Sequence, residues 1–158
     1  LAPDCREHLL GIQNKTDERT GNSRWSLTGR SYNFDSAAGI IYTVNINKPQ
    51  GKRIRIQSMA DGSTFYPDKC YLVAMTSYRA TGGGDLLIKG AGIPADELSA
   101  RVVSRHIEIR ELIKRFFSNH QMVTPESVYD AKSLGSWKFI PEAKASELFE
   151  KDRELLDY

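Results

Sequence analysis

A chain of 158 residues has the length of one domain, enough to bury roughly two-thirds of its unfolded surface around a single core. Hydrophobic residues at 40% and charged residues at 27% exclude disorder, and no apolar run approaches the ~20 residues of a membrane-spanning helix. The 22 basic and 20 acidic residues are spread evenly, so the net charge of +2 marks neither nucleic acid nor an anionic membrane as a partner.

The expected organisation is one domain over residues 1–158, with a polar loop at 13–30, a core at 33–120 and a C-terminal extension at 121–158. The start at Leu1 without a signal peptide fits a processed product or a fragment. Leu9, Leu10 and Ile12 form a short apolar cluster that closes a helix or caps a core, and Trp25 and Leu27 anchor the polar stretch. The β-rich part begins near Ser31. Ile40, Tyr42, Val44 and Ile46 share one face of a predicted strand, Pro49 and Gly51 turn the chain, and a second strand places Ile54 and Ile56 inward with Arg53 and Arg55 outward. Asp61-Gly62 signals a hairpin into a short strand at 64–66, and Pro67 breaks it before a buried strand at 71–75, Tyr-Leu-Val-Ala-Met.

That strand opens into Tyr78-Arg79-Ala80-Thr81-Gly82-Gly83-Gly84-Asp85, where an aromatic ring, an arginine, three glycines and a carboxylate fall together. Loops delivered this way commonly carry function. Beyond it, residues 95–100 suit a short helix with Pro94 at its first turn. The clearest helix covers 104–120, with Ser104 as N-cap, a core-packing stripe of Ile109, Leu112, Ile113 and Phe116 widened by Phe117, and a Glu111–Arg115 pair. Thr124-Pro125 ends the next segment. Trp137, Phe139 and Ile140 form an apolar patch, and Pro141 opens a final amphipathic helix that packs through Leu148, Phe149, Leu155 and Leu156 with its charges toward solvent.

The chain lacks the patterns of the common hydrolytic enzymes. His8, His106 and His120 are scattered, no His-Glu-x-x-His, Cys-x-x-Cys or Gly-x-Ser-x-Gly occurs, and Cys5 and Cys70 read either as a bridge in an oxidising space or as two ordinary thiols. The glycine run is followed by Asp85 and Leu86 where a phosphate-cradling loop carries Lys and Ser or Thr, and an acid there repels phosphate.

Residues 71–85 resemble the signature of the C-terminal domain of the bacterial and animal 5'-nucleotidase family: Tyr, several apolar residues, Asn, an aromatic, then Gly-Gly-Asp-Gly. Its approach is similar too. Asp35 through Val44 resemble the family's Gly-hydrophobic-Tyr strand, Pro49 through Ile54 its Pro-x-Gly turn and following strand, and Phe65 through Tyr71 its entry to the buried strand, so the resemblance covers about 33–117. It implies an α+β fold with a mixed, largely antiparallel sheet and packed helices. It also implies a partner domain on the N-terminal side of the same polypeptide, a calcineurin-like metallophosphoesterase domain holding divalent metal ions and the catalytic groups. This chain then holds no catalytic residue, metal or cofactor, is inactive alone, and binds the nucleoside part of a nucleotide through Tyr78, Gly82, Gly83, Gly84 and Asp85 in a periplasmic, secreted or cell-surface enzyme. Tyr78 takes the place of a stacking ring. The family's ribose-binding aspartate falls six residues after that ring, where this chain has Gly84, with Asp85 one step later. The alternative is a non-enzymatic protein-interaction module.

Overall fold

The computed structural model describes residues 1–29, 34–120, 122–124 and 135–156. Ser31 and Pro125, where the sequence places the start of the β-rich part and a segment end, lie outside them. The chain folds as two compact units, Leu1–Pro67 with Tyr129–Tyr158, and Asp68–Val128. Both helix and strand are present, with antiparallel and parallel pairing, so the fold class is α+β.

In the first unit, the stretch expected as a polar loop contains a hairpin of β1 (Ile12–Thr16) and β2 (Ser23–Leu27). Its turn is closed by Asp17, whose carboxylate accepts the N–H groups of Arg19 at 2.8 Å and Thr20 at 3.0 Å, and by Gly21 at φ +71°. The hairpin was hidden in the sequence because most of its residues face water, leaving no apolar alternation to read.

A second sheet has the order β4-β3-β5, with β3 (Ile40–Asn45) central between antiparallel β4 (Ile54–Met59) and parallel β5 (Trp137–Ile140). The β3 strand forms as expected, with Tyr42, Val44 and, just past its end, Ile46 buried on the apolar face, but Thr43 on the other face is buried as well, and the Tyr42 ring stacks on Trp137 at 5.9 Å. The expected inward and outward assignment of β4 is reversed at its start. Arg53 is buried and Ile54 is 66% exposed. β4 is an edge strand, and the backbone of the N-terminal segment meets it at Arg53, whose guanidinium donates to the carbonyls of Ala2 and Pro3 at 2.8 Å each and of Lys48 at 2.9 Å. Three carbonyls that need donors outweigh the alternation.

The core of this unit gathers Ala2, Cys5, Leu9 and Ile46 against Ala145 and Leu148 of the last helix, Glu142–Leu156, with Phe139 packed beside them. The helix follows Pro141 as its sequence indicates, but its charges do not all face solvent. Asp152 lies on the same stripe as Ala145 and Leu148 and is fully buried. Its carboxylate accepts the N–H groups of Leu9 and Leu10 at 2.7 Å each and pairs with His8 Nδ1 at 2.5 Å. A buried carboxylate is tolerated only when its oxygens are met in this way. Phe149, expected to pack, is 44% exposed.

In the second unit the expected strand at 71–75 has no regular secondary structure, and Leu72 and Val73 are 84% and 69% exposed. The short strand at 64–66 in the first unit is likewise irregular. Apolar, β-branched content favours a strand, but local propensity is overridden by context, and neither segment takes regular strand structure. Two 3₁₀ turns, Ala95–Glu97 and Ser99–Arg101, replace the short helix expected at 95–100. The long helix is α2 (Ile109–Ser118), shorter than the periodicity predicts, with Glu108 and not Ser104 at its N-cap position. The Glu111–Arg115 pair forms at 3.1 Å. The stripe is not packed as core in this unit: Ile109, Leu112, Ile113 and Phe117 remain 49–57% exposed. Cys5 is buried and Cys70 exposed, both free thiols.

Candidate functional site

The loop singled out in the sequence lies within the second unit. It begins with α1 (Ser77–Ala80), one helical turn capped by Thr76, whose hydroxyl accepts the Arg79 N–H at 3.4 Å. A turn this short has almost no intrinsic stability. Its order comes from caps and from the glycines that follow.

Three of the next residues adopt left-handed backbone: Gly82 at φ +96°, Gly84 at φ +73° and Asp85 at φ +61°. Glycine takes that conformation without the cost of a Cβ, and aspartate is among the few others that visit it. Gly83 has a different requirement. A methyl carbon built there would lie 2.5 Å from both the Tyr78 carbonyl oxygen and its Cε2, so the ring rests directly against the glycine backbone. A Cβ at Gly82 would meet Ile88 Cδ1 at 2.7 Å. The run of three glycines is thus explained position by position, two by dihedral and one by contact.

The result is a tyrosine ring supported on one side by Gly83 and 56% exposed overall. Asp85 follows the turn and presents its carboxylate at the surface, 2.7 Å from Lys89 Nζ. This pair holds the Lys89 ammonium above the ordinary lysine range, chiefly through the hydrogen bond from Lys89 to Asp85. Lys89 belongs to a single π-helical turn, Leu86–Gly90, closed by the Ala91 N–H on the Leu86 carbonyl at 3.0 Å. Such turns are frequent at functional sites.

All five residues predicted from the sequence, Tyr78, Gly82, Gly83, Gly84 and Asp85, therefore fall in one contiguous surface turn, and Tyr78 and Gly83 are in contact. Sequence reasoning missed two neighbours. Lys89 was signalled by its i,i+4 spacing from Asp85. Arg79 stands in the singled-out stretch but not among the predicted binding residues; it is buried and donates to the Gly83 carbonyl at 3.1 Å. Among the described residues no three His, Cys, Asp or Glu side chains converge as a metal-ligand set, and no helix is long and apolar enough to cross a membrane.

Comparison with known proteins bears on the family of the chain. No solved structure matches the chain significantly. The trifunctional nucleotide phosphoesterase protein YfkN of Bacillus subtilis (strain 168) is 28% identical over 160 residues, an alignment covering 93% of this chain and 10% of that relative. The chain thus spans about a tenth of the length of the curated relative it matches. These findings do not favour the interaction-module reading. The family model for the 5'-nucleotidase C-terminal domain matches residues 9–89, just over half of the chain and inclusive of the whole Tyr78–Asp85 turn, so the chain belongs to the 5'-nucleotidase C-terminal domain family.

Proposed function

We propose that this chain is the substrate-specificity region of a nucleotide-hydrolysing phosphoesterase and binds the nucleoside part of the substrate at the Tyr78 turn. The observation that carries the reading is the Tyr78 ring, supported by Gly83 and open to solvent, with the Asp85 carboxylate in the same turn. A base stacks on such a ring whatever its identity, because every base has a π-face. Asp85 accepts hydrogen bonds from ribose hydroxyls, for which it exchanges its surface contact with Lys89, a pair weak enough to yield. Family membership and the similarity to a nucleotide phosphoesterase support the parent activity.

Among the described residues no three His, Cys, Asp or Glu side chains converge as a metal-ligand set. In this reading the chemistry belongs to an N-terminal metallophosphoesterase domain of the same polypeptide, which holds the metals and the catalytic groups. The parent is a 5'-nucleotidase or a cyclic-nucleotide phosphodiesterase acting in the periplasm or outside the cell. This chain alone releases no phosphate from mononucleotides, with or without added divalent metal.

The test is a titration of the full chain with adenosine and with its 5'-monophosphate, followed through amide resonances. Shifts confined to residues 78–85 at millimolar ligand are expected, and Tyr78→Ala should weaken binding about tenfold. Absence of any shift in the wild-type chain at millimolar adenosine would refute the reading.

A further inference from the structure

We infer that Arg79 is the positioning residue of the Tyr78 turn: its buried guanidinium, by holding the Gly83 carbonyl, fixes the glycine backbone against the Tyr78 ring and thereby sets the ring's orientation. The ligand consequence of this role rests on the proposed nucleoside-binding function; the structural role does not.

Two adjacent residues have opposite fates. Tyr78 is 56% exposed, whereas Arg79 is 8% exposed although it is the charged one of the pair. A cation withdrawn from water persists only where its donors are met. One of them, Nη1–H, reaches across the turn to the Gly83 carbonyl at 3.1 Å. The same guanidinium carbon lies 5.4 Å from the centroid of the Tyr78 ring, within the range of a cation–π contact. Arg79 therefore touches both members of the ring–glycine contact, Tyr78 through its face and Gly83 through its carbonyl.

The turn needs such a tie. The one-turn helix α1 is too short to hold a ring rigidly, and Gly82 and Gly84 leave the backbone on both sides of Gly83 free to adopt many conformations. Glycines permit the close approach but do not enforce it. Within these eight residues, the Tyr78 ring reaches the glycine run by contact, and the Arg79 side chain reaches it from the helical turn by a hydrogen bond. A planar fork held in one orientation can engage a carbonyl and a ring face together, whereas a lysine at this position is a point charge on a flexible stem and keeps at most one of the two contacts. An arginine beside the ring thus serves the site without touching ligand.

The test uses the full chain with Arg79→Ala and Arg79→Lys. In the wild type, the ring current of Tyr78 should displace the Gly83 α-proton resonances, and the Asp85 N–H, bonded to the Gly82 carbonyl at 3.1 Å, should be protected from exchange. In Arg79→Ala the displacement should collapse and Asp85 should exchange about tenfold faster, with the amides of the β3 strand unchanged. Arg79→Lys should recover only part of either signal. If Arg79→Ala also loses protection in β3, the variant has unfolded more widely and Arg79→Lys alone decides. Gly83 resonances and Asp85 exchange within twofold of wild type in the deciding variant overturn the inference. A wild-type chain that ignores adenosine while Arg79→Ala loosens the turn overturns the functional proposal and supports the positioning role. Adenosine binding with equal affinity in wild type and a loosened Arg79→Ala refutes the link between ring orientation and ligand.

Discussion

The two compact units of this chain solve the problem of burial in different ways. In the first, apolar side chains from distant parts of the sequence meet: Leu9, Ile46, Ala145 and Leu148 share one cluster, and two buried charges, Arg53 and Asp152, fasten the N-terminal segment from opposite electrostatic senses. The cation takes carbonyls and the anion takes N–H groups. In the second unit, Arg79 and Leu98 alone among its described residues are buried, while Leu72, Val73, Val103 and most of the α2 stripe face water. Order there is local, made by a capped turn, left-handed glycines, a π turn and i,i+4 ion pairs. The lesson is that a candidate binding loop does not require a core directly around it; it requires dihedral control and a few ties.

The contrast can be broken most forcefully at Asp152. Asp152→Ala removes the acceptor of two backbone N–H groups and the partner of His8, all buried or partly so. Loss of one side of a buried charged network costs roughly 3 kcal/mol or more, and denaturant unfolding of the first unit should show it as a lowered midpoint. Unchanged stability would mean that the N-terminal segment is not fastened as described.

A smaller and more local effect is expected at Gly82→Ala, which combines a positive φ with a methyl 2.7 Å from Ile88 Cδ1. The strain is about 1–2 kcal/mol, and it should appear as shifted resonances across 78–88 with the unfolding midpoint of the first unit unmoved. Smaller still is Leu72→Ser. At 84% exposure this leucine has little to lose, and the change should stay within about 0.5 kcal/mol, whereas a buried strand at 71–75 would make it several-fold larger.

The least effect comes from pH. Asp17 is held below the ordinary aspartate range by the backbone N–H groups of Thr20 and Arg19 that it accepts. A depressed carboxylate contributes its stabilisation above the unfolded pKa of about 3.9 and loses it as pH falls through the folded value. Lys89 runs the other way: raised by Asp85, its contribution is complete below the unfolded lysine pKa of about 10.4 and is lost as pH rises through the folded value. Amide shifts of Arg19 and Thr20 in acid, and of Asp85 in alkali, should report the two losses separately.

Much of the site was legible in advance because its residues are contiguous. The three glycines were readable as a turn, Asp85 as the carboxylate beside it, and the resemblance named Tyr78 as the ring of interest. The β3 strand and the final helix were readable from periodicity, since each keeps a buried face. The hairpin of β1 and β2 was not, because its polar residues carry no alternation.

What the sequence determined by itself, then, is local: turns, the glycine run, helix periods and the family signature, all set by side-chain and backbone preferences within a few residues. What the tertiary structure alone decided is where charge and apolar surface end up. Arg53 and Asp152 went inside because carbonyls and N–H groups of the N-terminal segment needed partners, Arg79 is buried and meets Gly83, and Leu72 and Val73 stayed outside. Hydrogen-bond partners distant in sequence have no signature in composition or period, so burial of a charge is written only in three dimensions.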